Sequence, residues 1–220
     1  MAKTRSYKLL CPIARALDRI GDRWTLLILR DLHAGPARFS ELQRGLTGVA
    51  ANLLTERLAK LVKDGLIAQQ ETDYGVMVYA LTDMGTRTSD IILELAMFGG
   101  QFKPETEIVE PGNLRTVVTT LGAAARRVAT PEMTFSAVLD VDWQRMHLIV
   151  DAGSVTPGFG DLESSDLVFT AAYKALLALT EGEMDLATFQ AKHAKLETES
   201  SEKAAQFLGL MTRIVELLQG

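Results

Sequence analysis

The chain has 220 residues, 47% of them apolar and 23% charged, with a formal net charge of −5, which allows two domains of about a hundred residues and excludes disorder over most of the length. No stretch reaches the roughly 18 unbroken apolar residues of a membrane helix, Met1 to Leu10 lacks the apolar core of a secretory signal, and a lone Cys11 permits no intrachain disulfide, so the cytoplasm is the expected compartment. The charge is uneven: residues 1–70 carry 12 Lys or Arg against 6 Asp or Glu, and residues 104–220 carry 9 against 17, a basic half suited to phosphate and an acidic half suited to avoiding it.

In chain order, Asp22 is placed to cap a helix bearing Trp24, Leu27, Ile28 and Leu32, stopped by His33-Ala34-Gly35-Pro36. Trp24 is expected in the core. Ser40 with Gln43 has capping-box spacing and opens a short helix through Leu46. A turn at Leu46-Thr47-Gly48 leads into a longer helix, Val49 to Asp64, closed by Gly65. Two helices joined by so short a Gly-containing turn form a helix-turn-helix.

Stepping about 100° per residue along the second helix puts Leu54, Leu58 and Leu61 on one side, flanked by Leu53 and Val62. The other side carries Asn52, Thr55, Glu56, Ala59, Lys60 and Lys63, with Arg57 at the flank. Asn pairs with adenine, Thr suits a thymine methyl or a phosphate, and Lys suits phosphates. On an isolated helix the same residues would read as a solvated face. The order along the chain favours a reading helix, because Leu66 to Glu71, a turn at Thr72-Asp73-Tyr74-Gly75, and Val76 to Leu81 follow as a β-hairpin, the wing. Thr82 then caps a helix bearing Ile91, Ile92, Leu95 and Phe98.

The segments Cys11-Pro12-Ile13-Ala14, Gly21 to Leu32, Arg38-Phe39-Ser40-Glu41-Leu42, Asn52 to Leu58, Asp64-Gly65-Leu66-Ile67 and Tyr79 to Gly85 resemble, in order and spacing, the HxlR-type winged-helix regulators, relatives of the MarR family. The resemblance implies a non-enzymatic transcriptional regulator, a homodimer on a near-palindromic operator of double-stranded DNA, with half-sites about 34 Å apart and the helix after the wing helping to join subunits. The DNA contacts it points to are Arg38, Ser40, Gln43, Asn52, Thr55, Arg57, Lys60 and Lys63. Two positions depart from the family. Ala50 stands where members often carry a capping Ser, leaving Thr47 or Gly48 to cap, and the wing has Asp73, Val76 and Met77 where many carry basic residues, which disfavours insertion in the minor groove. Cys11 is the place of an oxidant-sensing thiol in some relatives, with Lys8 and Arg15 nearby in sequence; an inert thiol is the alternative.

Lys103 to Glu107, continuing to Pro111-Gly112, reads as a linker, which divides the chain into a winged helix over 1–103, a linker over 104–112 and a second domain over 113–220. The second domain reads as α+β. It offers a helix with Leu114, Val117, Val118 and Leu121, strands at Phe135 to Val141 and Met146 to Val150, Leu167-Val168-Phe169 before a helix to Glu181, a helix from Asp185 to His193, alternation at Lys195 to Glu199, and a last helix from about Ser201 to Leu218. Asp166 to Asp185 resembles the sterol-carrier-protein-like fold, although Thr198-Glu199-Ser200 replaces the usual Gly-Asp before the final helix. That resemblance implies a tunnel for a hydrophobic small molecule, with Phe189, Phe207, Leu208, Met211 and Val215 as candidate lining; each could equally fill a core.

An enzyme finds little support. His33, His147 and His193 lack metal-ligand spacing, no cofactor is implied, and Gly158-Phe159-Gly160 sits in a Pro-bearing stretch read as a loop, a weak phosphate-binding signal. A lipid-binding module whose winged helix contacts protein instead of DNA is the other reading.

Overall fold

Pro12 occupies the first turn of a helix, where a missing N–H costs nothing, and opens α1 (Pro12–Ile20). The computed structural model describes residues 6–102 and 113–219, and the chain divides into two units, Met1–Thr88 and Ser89–Gly220. In the first, Asp22 Oδ1 accepts hydrogen bonds from the Trp24 and Thr25 N–H groups at 3.1 and 3.2 Å, satisfying donors that the start of α2 (Thr25–His33) leaves open. Trp24 is half-buried at the N-cap with the Arg23 guanidinium 5.3 Å from its ring centroid. It is therefore a boundary residue, not the core residue expected, because its place ahead of the first helical turn keeps it outside the buried stripe.

The next helix, α3 (Phe39–Gly45), begins one residue before Ser40. The capping contact comes from Glu41, whose carboxylate accepts from the Arg38 N–H at 2.7 Å, so the Ser40 and Gln43 pairing expected for that role is displaced by one already in register. The longer helix, α4 (Ala51–Lys63), has Ala50 as its N-cap and no side-chain cap; neither Thr47 nor Gly48 serves. Leu54, Leu58 and Leu61 are each at most 1% exposed and pack in a core with Ile28, Leu29, Leu32 and Leu42, as their spacing requires. Gly65, at φ +72°, takes the left-handed conformation that ends α4.

The wing follows as β1 (Ile67–Glu71) and β2 (Met77–Leu81), antiparallel with Ile67 opposite Leu81 and Glu71 opposite Met77. Ala37 adds a third rung, exchanging both backbone hydrogen bonds with Tyr79 at 3.0 and 2.8 Å. Thr82 Oγ1 accepts from the Gly85 N–H and caps α5 (Asp83–Thr86). The helix expected from Thr82 onward is two helices, because the buried Thr88 hydroxyl donates back to the Gly85 carbonyl at 2.7 Å and marks the break.

The second unit begins with α6 (Ser89–Gly99) and α7 (Arg115–Val128). Arg127 pairs with Asp90 at 3.2 Å and with Glu94 at 2.7 Å, and α6 packs on α7. The two units divide between Thr88 and Ser89, and the expected 104–112 linker lies outside the described residues. Helix α6, expected to close the first domain, groups by its contacts with α7.

A five-stranded sheet follows in the order β5-β4-β3-β6-β7, built from β3 (Phe135–Val141), β4 (Gln144–Asp151), β5 (Ser154–Phe159), β6 (Leu167–Ala171) and β7 (Ala194–Thr198). Only β3 and β6 run parallel; the remaining pairs are antiparallel. Two-residue turns at Asp142-Trp143 and Ala152-Gly153, all four residues at positive φ, close the two hairpins. Helices α8 (Tyr173–Thr180), α9 (Leu186–Lys192) and α10 (Ser201–Gln219) complete the unit.

The stretch containing Gly158-Phe159-Gly160, expected as a loop, contributes Gly158 and Phe159 to the edge strand β5. An edge tolerates Pro157 because one side of it has no ladder partner. Gly158 is fixed by its neighbour: a Cβ there would stand 2.3 Å from Nε2 of His147 across the ladder. On the facing helix, a Cβ on Gly122 would come within 2.6 Å of the Pro157 ring. The glycine is what lets α7 lie against β5.

Candidate nucleic-acid interface and ligand cavity

Helix α4 exposes Asn52, Thr55 and Lys63 on the side opposite Leu54, Leu58 and Leu61. Asn52 Oδ1 accepts from the Leu53 N–H at 2.9 Å and the Thr55 hydroxyl donates to the Ala51 carbonyl at 2.9 Å. Both side chains are therefore held on their own helix, ready to exchange these local bonds for bonds to a base or phosphate. Arg38, Ser40 and Gln43 are exposed on or beside α3, the helix that precedes the turn. Lys63, Arg38 and Arg44 are the exposed cations of this region.

Two of the expected contacts are engaged within the protein. Lys60 Nζ donates to the carbonyl oxygens of Asp18 and Arg19 at 3.3 and 3.0 Å and to Asp64 Oδ2 at 2.8 Å, so it caps the C-terminus of α1, where carbonyls lack helical partners and a cation meets the negative end of the helix dipole. Arg57 is half-buried and pairs through Nε with Asp22 at 3.1 Å and through Nη1 with Glu56 at 3.3 Å, tying α4 to the start of α2.

At the wing tip Tyr74 is 93% exposed beside Asp73, and Gly75 takes φ +72° in the turn. The turn carries no cation. Cys11 is half-exposed at the N-cap of α1. Among the described residues no group of His, Cys, Asp and Glu could hold a metal; the His33 ring meets the Thr88 hydroxyl at 2.9 Å and the His147 ring meets the Gly160 carbonyl at 3.0 Å. No described helix is long and apolar enough to cross a membrane.

The second unit encloses a cavity of about 700 Å³, within the range of about 300–1,000 Å³ usual for small-molecule sites. Helix α7 gives it Thr116, Val117, Thr120 and Leu121, one face at helical spacing, while the opposite face, with Val118, Gly122 and Ala125, is buried. Leu139, Val141 and Phe169 form a wall from the sheet, Tyr173, Leu176 and Thr180 one from α8, and Met211, Ile214 and Leu218 one from α10. Of the residues expected to line a tunnel, Met211 and Val215 lie on the wall of this cavity. Phe189 and Phe207, at 1% and 0% exposure, stack instead with Phe169 at 6.2 and 5.3 Å between centroids, forming an aromatic core. Leu208 is half-buried and outside the lining. Periodicity could find the α10 face but not which turns of it meet a void.

A helix-turn-helix with α4 as its second helix, followed at once by a two-stranded wing, defines the first unit as a winged helix. The model of the HxlR-like helix-turn-helix family matches residues 19–107. The HTH-type transcriptional regulator YodB of Bacillus subtilis is 32% identical over 108 residues, covering 47% of this chain and 90% of YodB. The uncharacterized HTH-type transcriptional regulator Rv3095 of Mycobacterium tuberculosis is 37% identical over 97 residues, 43% of this chain, and the chain spans 61% of its length. Among solved structures, quinone-bound YodB from B. subtilis aligns at TM-score 0.38 with 30% identity, over 42% of this chain and 100% of that one, and the redox regulator HypR in its oxidized form at 0.40 with 26% identity, over 43% and 99%. Through its N-terminal region the chain belongs to the HxlR-like helix-turn-helix family.

Proposed function

We propose that the chain is a cytoplasmic transcriptional regulator that binds a near-palindromic operator as a homodimer, with α4 in the major groove of each half-site, and that a hydrophobic small molecule in the second unit controls its affinity for DNA. The observation that carries the reading is the two-faced α4: a leucine stripe buried to 1% or less behind an exposed Asn52, Thr55 and Lys63. Exposed Arg38, Ser40 and Gln43 supply contacts from the preceding helix, and the uncapped first turn of α4 offers N–H groups to a phosphate.

Dimerisation has support in each unit separately. In α1, Ile13 and Leu17 are 71% and 44% exposed; on α6, Ile91, Leu95 and Phe98 are 42%, 46% and 60% exposed at spacings of four and three. Such stripes are what a second copy covers. Effector control has support from the cavity, whose size and apolar lining suit a hydrophobic small molecule. A ligand shifts DNA affinity only through different affinity for the two states. Cys11, accessible at the N-terminus of α1, is the thiol through which an oxidant would act; Cys11→Ser then abolishes oxidant-dependent release from DNA.

The test is fluorescence anisotropy on a duplex from the gene's own upstream region. Saturable binding that weakens steeply with salt and outcompetes random duplex supports the regulator. Equal binding to any duplex, or none, removes it.

A further inference from the structure

The charge of the cavity wall narrows the chemistry of its occupant. Among the described lining residues there is no Lys, Arg or His; the one carboxylate is Glu181, exposed at the rim where α8 ends. Two basic side chains of α7 are engaged elsewhere. Arg115 lies over the Phe159 ring at 4.8 Å, and Arg127 is paired with Asp90 and Glu94. A fatty acid or a phosphate-headed lipid would place its anionic headgroup beside the Glu181 carboxylate, with no cation among the described lining residues, an arrangement that raises the cost of binding. An ammonium finds the opposite.

The apolar wall and the polar fringe are also arranged in sequence along the cavity. Leu139, Phe169 and Met211 are buried, whereas Thr180, Glu181 and Gln219 gather where α8 and α10 end. Gln219 Nε2 donates to the Leu179 carbonyl at 2.7 Å, which ties the end of α10 to the end of α8 and keeps the Gln219 amide at that end of the cavity. The rim is thus rich in acceptors. Partial burial, and then the neighbouring Glu183 carboxylate, raise the Glu181 pKa from its ordinary value.

We propose that the cavity takes a lipophilic amine, with its apolar body against α7, α10 and the sheet and its ammonium group at Glu181. This rests on the reading of the cavity as an effector site and specifies the class of effector. It also makes Glu181 the selectivity residue for charge, while the walls select only for size and apolarity.

A matched series tests it: nonylamine, 1-nonanol and nonanoate, each titrated calorimetrically into the full-length protein at pH 7 and into the Glu181→Gln variant. The expected order is amine, then alcohol, with nonanoate weakest, the amine about tenfold tighter than the alcohol. In Glu181→Gln, whose fold is checked by its thermal midpoint, the amine loses that advantage and the alcohol is unchanged. Nonanoate binding as tightly as the amine, or an amine advantage that survives Glu181→Gln, overturns the charge assignment while leaving the effector site standing. Failure of all three to bind overturns both.

Discussion

Lys60 donates from Nζ to the backbone carbonyl of Arg19 at 3.0 Å, so a cation that helical spacing assigns to the reading face closes the end of α1. Asp64 takes part from the other side, accepting from Lys60 at 2.8 Å and from Arg19 Nη1 at 2.8 Å. Position on a helical wheel and availability to a ligand are separate properties, and the two lysines of α4 differ in the second.

That difference is measurable. Lys60→Ala should lower stability by about 1–3 kcal/mol, the worth of charge-assisted hydrogen bonds at a part-buried site, read as a shift of the urea midpoint. Lys63→Ala should leave the midpoint within about 0.5 kcal/mol and instead reduce the slope of log affinity for DNA against log salt by about one.

Asn52→Ala should cost about 1–3 kcal/mol of DNA binding, concentrated at one base pair of each half-site. A panel of operators substituted at single positions checks this: the variant loses discrimination at that position and keeps it elsewhere. The wing should respond in the reverse direction. Asp73→Lys replaces a negative charge at the wing tip with a cation and should tighten binding to all duplexes while steepening the salt slope.

Gly122→Ala should destabilise the second unit by about 1–3 kcal/mol, since its methyl would meet the Pro157 ring at 2.6 Å. Differential scanning calorimetry reads the loss, and Gly122→Ala with Pro157→Ala together should recover part of it by clearing the ring.

Asp166 links pH to stability in the same unit. Hydrogen bonds from the Ser136 N–H, at 2.6 Å, and from its hydroxyl, at 2.9 Å, hold the carboxylate below its usual pKa and join the starts of the parallel strands β3 and β6. A carboxyl with a depressed folded pKa stabilises above its unfolded value of about 3.9 and loses that contribution as pH falls through the folded value. Asp166→Asn should lower the thermal midpoint at pH 7, and the gap between variant and wild type should narrow below about pH 4; a gap independent of pH would remove this role.

What was legible in the sequence was what local periodicity encodes. Leu54, Leu58 and Leu61 repeat at the helical period and are buried; strand β2 alternates at period two, and the hairpin lies where the sequence places it. The rest depends on partners distant in the chain. The carbonyls that engage Lys60 lie 41 and 42 residues upstream. Strand β5 was hidden because Pro157 and Gly158 signal a loop locally, and only the neighbouring His147 and Gly122 explain why a strand needs them. The cavity walls come from helices and strands spread over a hundred residues, so no window of sequence contains them, and Phe207 and Met211, four apart on one helix, divide between core and cavity. The attachment of α6 to α7 was hidden in the same way, since Arg127 supplies it from beyond the expected linker.

The most direct test is the affinity of the wild type and of Asn52→Ala with Lys63→Ala for the upstream duplex, measured by anisotropy between 50 and 200 mM salt, conditions over which phosphate contacts lose about 10³–10⁵ in affinity. The expected result is tight, salt-sensitive and sequence-selective binding by the wild type, with a double variant that folds normally, loses selectivity and shows a shallower salt slope. Undiminished selective binding by the double variant would contradict a reading role for α4.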